Sequence, residues 1–541
     1  MLSRKRSGRH SARAVTAIIA ALTFSSITSF RASAAAGDLD LKFGIGGKVI
    51  THLGFADQVF ALAVQPDGKI IAAGMSASRA IFDAEDFALV RYQADGTLDS
   101  SFGLGGKVIT DFFGEEDHIS AVALQPDGKI IAAGSARKGA AIYFGLARYD
   151  KDGALDSTFG SGGKVATSFF GFSDDAASLA ILADGKILVA GAIFTGPVEV
   201  DFGLARYNGD GSLDATFGSG GKVTTDFGNY DIIASIAVQP DGKILAGGDT
   251  TNRDTNTDFA LVRYNKDGSL DSGFGSGGKV VTDFARHEDF VAELALQTDG
   301  KIVVAGDVTI SASPSKEVIA FGLARYNADG SLDSRFGFGG KVVTGDNLIA
   351  ADAVVIQPNG KVIAAGLAKG GDFGLARYNS NGGLDSGFGT NGVIITDFSG
   401  SGGERIFALA LQADGKVVAA GTTFDQNTGS GFALARYDAG DITTRTFDTQ
   451  LHDDNSLLEL DSISGDYRFT DCATGFTLAG AGTVKVRPCK IELRDSGSDY
   501  YLKAKVKICS NTGKVSLDVF SQGKTYTLKD KDITDSSSPC R

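Results

Sequence analysis

Histidine is scarce in this sequence, and its five copies, at residues 10, 52, 118, 287 and 452, are too scattered to mark a conventional triad or a zinc site. No Gly-x-Ser-x-Gly and no His-Glu-x-x-His occurs, which removes nucleophile-elbow hydrolases and zincin-type proteases as motif readings. The four cysteines all lie beyond residue 471, and none forms a Cys-x-x-Cys or has a histidine nearby, so a thiolate metal site is disfavoured. Proline is also rare, 8 residues against 73 glycines, and the glycines follow no three-residue period. Collagen is excluded, and glycine turns between short apolar runs are expected of an all-β repeat protein.

Long apolar runs and basic charge are lacking as well. The most apolar stretch, Ala14 to Phe24, is far shorter than the roughly 20 residues that span a bilayer. Preceded by Arg4, Lys5, Arg6, Arg9 and Arg13 and followed by Ala32-Ser33-Ala34-Ala35-Ala36, it reads as a secretory signal peptide over residues 1–36. Its removal leaves 46 basic against 65 acidic residues, a net charge near −19. That argues against nucleic acid or an anionic membrane as partner. The expected location is outside the cell, secreted or at its surface, with no transmembrane segment after cleavage.

What is present is a repeat. Asp86-Phe87-Ala88-Leu89-Val90-Arg91-Tyr92 is followed by Asp95-Gly96 and by Leu98-Asp99, and the Arg-Tyr pair returns at 148/149, 206/207, 263/264, 325/326, 377/378 and 436/437. Each unit holds four short strands: in the first, Val59–Gln65, Lys69–Gly74, Phe87–Tyr92 and Lys107–Asp111. An Asp-Gly-Lys turn joins the first two, with Asn359 replacing Asp in the sixth unit. Four-stranded units of this period fit the blades of a β-propeller, and seven is within the usual number. Residues 37–438 are therefore expected to form a seven-bladed propeller. The last unit lacks its outer strand and Lys48–Thr51 is an outer strand without a unit, so the N-terminal strand is expected to complete the final blade.

The unit Asp-Phe-Ala-Leu-Ala-Arg-Tyr-Asn, Asp-Gly-Ser-Leu-Asp, Phe-Gly, Gly-Gly-Lys-Val, Gln-Pro-Asp-Gly-Lys-Ile resembles the delta-60 repeat family of exported bacterial proteins over residues 39–437. More distantly it is similar to seven-bladed propeller repeats with Gly-Asn-Val-Tyr-Val-Thr-Gly hairpins. The resemblance implies the fold and brings no activity with it.

Loop lengths distinguish the two faces. From the third-strand Phe to the next Leu-Asp the spacing is 11 residues in every full interval, whereas from the second-strand Gly to that Phe it runs from 7 to 15. Variable loops on a rigid scaffold are where binding usually resides.

Beyond a linker, 439–450, composition changes, and residues 451–541 carry alternating runs such as Asp466–Thr470, Gly482–Val486, Tyr501–Val506 and Lys524–Leu528. They are expected to form a small β-sandwich or barrel. Cys472, Cys489, Cys509 and Cys540 are expected to form two disulfides in an exported chain, with three pairings open and a lean to 472–489 and 509–540. The stretch from Leu451 to Cys472 also resembles a small C-terminal module of exported bacterial proteins.

Two repeated charges invite a role. The Arg of each third strand and the Asp of each Leu-Asp (Asp40, Asp99, Asp156, Asp214, Asp271, Asp333, Asp385) recur seven times, which suits a structural charge-assisted bond. Ten residues before each hairpin turn stands an acid, Asp57, Asp117, Asp174, Asp231, Asp289 and Glu404, with Ile349 the exception. A ring of these at one mouth of the channel would suit Ca²⁺; alternatively each accepts backbone N–H bonds in its own loop. No other cofactor is expected. With no cluster of catalytic types confined to one blade, the expectation is a monomeric binding or scaffold protein without enzymatic activity, presenting loops to a protein or glycan. The alternative is an extracellular lyase or hydrolase using loop carboxylates, for which Glu115-Glu116-Asp117 beside Asp174-Asp175 is the supporting feature.

Overall fold

The computed structural model describes residues 35–440, apart from 79–84, 197–198, 229, 253–255, 285–286, 314–315, 346, 399–402 and 426–427, and beyond them the strands named below. The described residues are all-β. Strand β1 (Lys48–Thr51) precedes four strands that make the first blade: β2 (Ala56–Val64), β3 (Ile70–Ala77), β4 (Asp86–Tyr92) and β5 (Lys107–Thr110). They pair antiparallel in chain order from the inside outward. The same order repeats in blades 2 (117–167), 3 (174–225), 4 (230–282), 5 (289–344) and 6 (348–396). A single parallel bridge, Val200 to Tyr230, joins blades 3 and 4 at their loop ends.

The seventh sheet takes its inner three strands from Arg405–Leu411, Val417–Asp425 and Gly429–Tyr437. Its outer strand is β1, with Lys48 opposite Ala435 and Thr51 opposite Phe432. The inner strands touch one another in cyclic order, that of blade 7 against that of blade 1 included. A core cluster shared by Val59, Ile70, Val90, Val418, Phe432 and Leu434 fills the junction of these two blades. Alternation explains the packing: in β4 Phe87 and Leu89 enter the cluster facing blade 2, while Ala88, Val90 and Tyr92 enter the one facing blade 7.

Every inner strand carries a bulge. In β2 the pairing with β3 passes from Val59 to Ala61 and leaves Phe60 unpaired. Equivalent skips leave out Ser120, Ala177, Ala234, Ala292, Asp352 and Phe407. The bulge dictates the glycine of the second strand: a Cβ at Gly74 would lie 1.9 Å from the carbonyl oxygen of Gln58, and one at Gly421 1.8 Å from that of Arg405.

Ala35 and Ala36, the last residues of the expected leader, are described. Gly37 N donates to Asp438 O, and Ala36 O accepts from Gly389 N at 2.9 Å, the role that Asp152 O plays for Gly103 N in blade 1. No helix among the described residues is long and apolar enough to cross a membrane.

A second unit begins at Ile442. It holds an antiparallel four-stranded sheet (Thr449–Asp453, Ser456–Leu460, Asp466–Asp471, Phe476–Ala481). A five-stranded one follows (Thr483–Arg487, Lys490–Ser496, Tyr500–Lys507, Lys514–Ser521, Lys524–Asp532). The four cysteines, and the expected leader up to residue 34, lie outside the described residues.

Candidate functional site

The repeated Arg-Tyr pair ties each blade to both neighbours. Arg91 Nε donates to Asp99 Oδ2 at 2.7 Å, its Nη1 donates to the Lys151 carbonyl of the next blade, and the guanidinium lies 4.5 Å from the Phe102 ring centroid. The adjacent Tyr92 hydroxyl, fully buried, meets Thr51 Oγ1 of the preceding blade at 2.9 Å. The pattern recurs at Arg206/Asp214 and Arg263/Asp271, both at 2.7 Å. Hydrogen bonds and the guanidinium hold the Asp99 carboxyl down to about 2 against its burial. This recurring charge pair is the scaffold's fastening.

Among the described residues no close group of acids contains two of the six repeated ones. Asp57, Asp117, Asp174, Asp231, Asp289 and Glu404 are all fully buried. Each accepts a main-chain N–H from the loop before it: Leu53, Phe112, Phe169, Phe227, Phe284 and Phe398 donate at 2.6–2.8 Å. They order the connection from one blade's outer strand to the next blade's inner strand. Four of them, Asp117, Asp231, Asp289 and Glu404, also meet two further acids from the preceding blade. The expected acidic sector resolves into separate contacts: Glu115 caps Gly139 N, Glu116 pairs with Arg137 at 2.9 Å, and Asp175 accepts from the Ser135 hydroxyl.

A different set of residues breaks the sevenfold symmetry, and repeat-by-repeat reading missed it. The position after the second-strand glycine is Met75, Ser135, Ala192, Leu367 and Thr422 in five blades, but Asp249 and Asp307 in blades 4 and 5. Asp249 Oδ1 accepts from Val291 N of the next blade. Burial, with the Asp307 and Asp289 charges nearby, raises its carboxyl well above the ordinary range. Asp307 stands opposite Phe290 on its sheet. Burial and the neighbouring Asp352 push it up to about 7 against the pull of Arg405, and its Oδ1 has no hydrogen-bond partner.

Asp352 is the bulge residue of blade 6, and Arg405 of blade 7 grips it with two bonds, Nε to Oδ2 at 2.7 Å and Nη2 to Oδ1 at 2.6 Å. Burial nevertheless raises Asp352 to about 6. The Arg405 side chain remains 37% exposed, and its guanidinium lies 5.4 Å from the ring centroid of Phe407, the bulge residue of blade 7. Phe407 in turn meets Phe60 of blade 1 at 5.4 Å. Glu293, pushed up to about 7 by burial, accepts from Val354 N at 2.7 Å. Blades 4 to 7 thus carry half-buried carboxylates raised by burial, an exposed guanidinium and aromatic rings at the inner strands. Such groups can hold a polyhydroxyl ligand or exchange a proton with one.

Seven segments of the chain, 65–102, 125–159, 182–217, 239–274, 297–336, 357–388 and 412–441, match the family described as a domain of unknown function (DUF5122) beta-propeller. No curated protein matches the chain. Among solved structures, polysaccharide lyase Uly1 is similar at 12% identity and a TM-score of 0.43, over 71% of this chain and 91% of that one. Drosophila Plexin A in complex with Semaphorin 1b is similar at 10% identity and a TM-score of 0.40, over 74% and 88%. A glucose dehydrogenase is similar at 14% identity and a TM-score of 0.33, over 72% and 99%. These likenesses concern the fold. The expectation of a chain without enzymatic activity is corrected, because a lyase and a dehydrogenase stand among the structures of this shape. Its premise was the absence of a cluster of catalytic types confined to one blade; Asp249, Asp307, Asp352 and Arg405 break the symmetry across four adjacent blades instead.

Proposed function

We propose that this protein is exported, its leader cleaved upstream of Ala36, and that it binds a glycan at the inner strands of blades 5 to 7. The observation that carries the reading is Asp307, a half-buried carboxylate with an unpartnered oxygen, beside the Asp352–Arg405 pair. A carboxylate and a guanidinium together accept from and donate to sugar hydroxyls, and Phe290, 42% exposed opposite Asp307, offers an apolar face to a sugar ring. The loops between second and third strands, which vary in length from blade to blade, frame the same face and supply selectivity. The protein acts as a monomer, and the C-terminal unit, stabilised by its disulfides, assists attachment.

One observation favours a second reading, glycan cleavage. Asp307, at about 7, sits beside Asp352, raised to about 6 even in the grip of Arg405, and two adjacent carboxyl groups that titrate near neutrality are the kind of pair that acid–base catalysis on a glycosidic bond uses.

Screening the secreted protein, Asp307→Asn and Arg405→Met against a glycan array, with a parallel assay for new reducing ends or unsaturated products, tests both. Saturable wild-type binding that both variants lose supports the site, and product formation selects cleavage. Failure to bind any glycan, or binding that both variants retain, overturns it.

A further inference from the structure

At four of the seven junctions between blades, three carboxylates from two blades converge with ligand oxygens within 4.8 Å of one another: Asp86/Asp111/Asp117, Asp201/Asp226/Asp231, Asp258/Asp283/Asp289 and Asp372/Asp397/Glu404. The first acid lies at or near the start of a third strand, the second follows the outer strand, and the third lies at or next to the start of the next inner strand. Because Phe87 pairs with Thr110, Asp86 and Asp111 stand directly across from each other, and the Phe259–Thr282 pairing puts Asp258 across from Asp283. Like charges directly opposite on neighbouring strands destabilise a sheet.

The repeat keeps this arrangement as a unit. Where the first position is not acidic the second is not either: Tyr143 faces Ser168, Ala320 faces Gly345 and Gly431 faces His52. The third position does not follow them, since Asp57 and Asp174 remain at two of those junctions as loop caps. Nor does the nearby lysine explain the pairs. Lys341 Nζ donates to the Asp283 carbonyl and Lys279 to that of Asp226, but Lys107 and Lys222 make the same bond to His52 and Ser168, where both acids are missing. A feature present with and without the acids does not account for their appearing together.

The Asp258/Asp283/Asp289 junction carries the independent sign of a ligand. Asp258 is only 6% exposed and its Oδ1 has no hydrogen-bond partner. A buried carboxylate oxygen without a donor costs free energy that a hard cation removes.

We infer that this junction is a divalent cation site of the Ca²⁺ type, with Asp258, Asp283 and Asp289 as its protein ligands. Three carboxylates from two blades and the open side at exposed Asp283 suit a cation that keeps several waters. None of the three ligands is among the residues assigned to the glycan, although Asp289 directly precedes Phe290 in the chain.

Calorimetric titration of the full chain, first stripped with chelator, measures the uptake. The expected result is about one equivalent of Ca²⁺ with a dissociation constant on the order of 10⁻⁴–10⁻³ M, the range of extracellular modules. Asp283→Asn, at an exposed position, takes up about one equivalent fewer, and Asp184→Asn in a hairpin turn leaves the number unchanged. A rise in melting temperature with Ca²⁺ that is smaller in Asp283→Asn supports the same conclusion. No uptake up to about 10 mM, or equal uptake by wild type and Asp283→Asn, overturns the inference.

Discussion

Arg436 and Asp40, 396 residues apart in the chain, are joined side chain to side chain, Nε to Oδ2 at 3.0 Å and Nη2 to Oδ2 at 2.8 Å. The same guanidinium donates to the Ala94 carbonyl of blade 1 and stacks on Phe43. What Arg91 does for blades 1 and 2, Arg436 does for blades 7 and 1, so the two chain ends of the repeat region are held by the bond that holds every other pair.

Replacing Arg436 by Met removes that bond and leaves Asp40 with Lys416 at 3.5 Å as a distant partner. The expected loss is about 1.5–3 kcal/mol, the worth of a hydrogen bond to a charged group, read from the denaturant midpoint. Arg263→Met is expected to cost a similar amount, because Arg263 makes the equivalent bond to Asp271 at 2.7 Å. Equal midpoints for wild type and both variants would mean that the pairs contribute nothing.

Gly248→Ala places a methyl group 1.9 Å from the Ile232 carbonyl oxygen, where only backbone movement relieves the clash. It is expected to destabilise by about 1–3 kcal/mol or more. Gly277→Ala, with nothing within 4 Å but a φ of +63°, is expected to cost less, about 1 kcal/mol. Thermal melts of the two variants side by side check the order.

Acidity separates two groups of carboxylates. Asp307 and Glu293 are raised to about 7, so the folded state prefers them protonated. Their contribution is fully present below the ordinary carboxylate range and is lost as pH rises through about 7. Asp99 and Asp271 are lowered to about 2, so their contribution is present above the ordinary range and lost as pH falls toward 2. The melting temperature is therefore expected to fall from about pH 5 to pH 7.5 and also below about pH 4. Glu293→Gln should flatten the neutral side of that profile and leave the acid side unchanged.

The parts of this architecture that were legible in the sequence are those stated seven times. The Arg–Asp pair could be matched because both partners recur at a fixed spacing, and the alternation of β4 followed from Phe87, Leu89 and Arg91 sharing one face. The second-strand glycine was visible as a landmark, but its cause was not, because the clash it avoids is with a carbonyl that only the bulge brings close. Asp249, Asp307, Asp352 and Arg405 were hidden for the opposite reason. They occupy three different repeat positions spread over four blades, none of them shared by all seven, and comparison of repeats draws attention to what the blades share. The one available signal was the acid after Gly248 and Gly306, where the other blades carry Met75, Ser135, Ala192, Leu367 or Thr422.

Isothermal titration with the glycan that the wild-type protein binds, run on wild type, Asp307→Asn, Arg405→Met and Arg137→Met, addresses the proposed site most directly. Arg137 pairs with Glu116 on blade 2, away from the inner strands of blades 5 to 7, and serves as the surface control. The expected result is a loss of affinity of about tenfold or more, roughly 1.4 kcal/mol, for each of the two site variants and none for Arg137→Met. Unchanged affinity in Asp307→Asn and Arg405→Met would contradict the assignment of the glycan site to these residues.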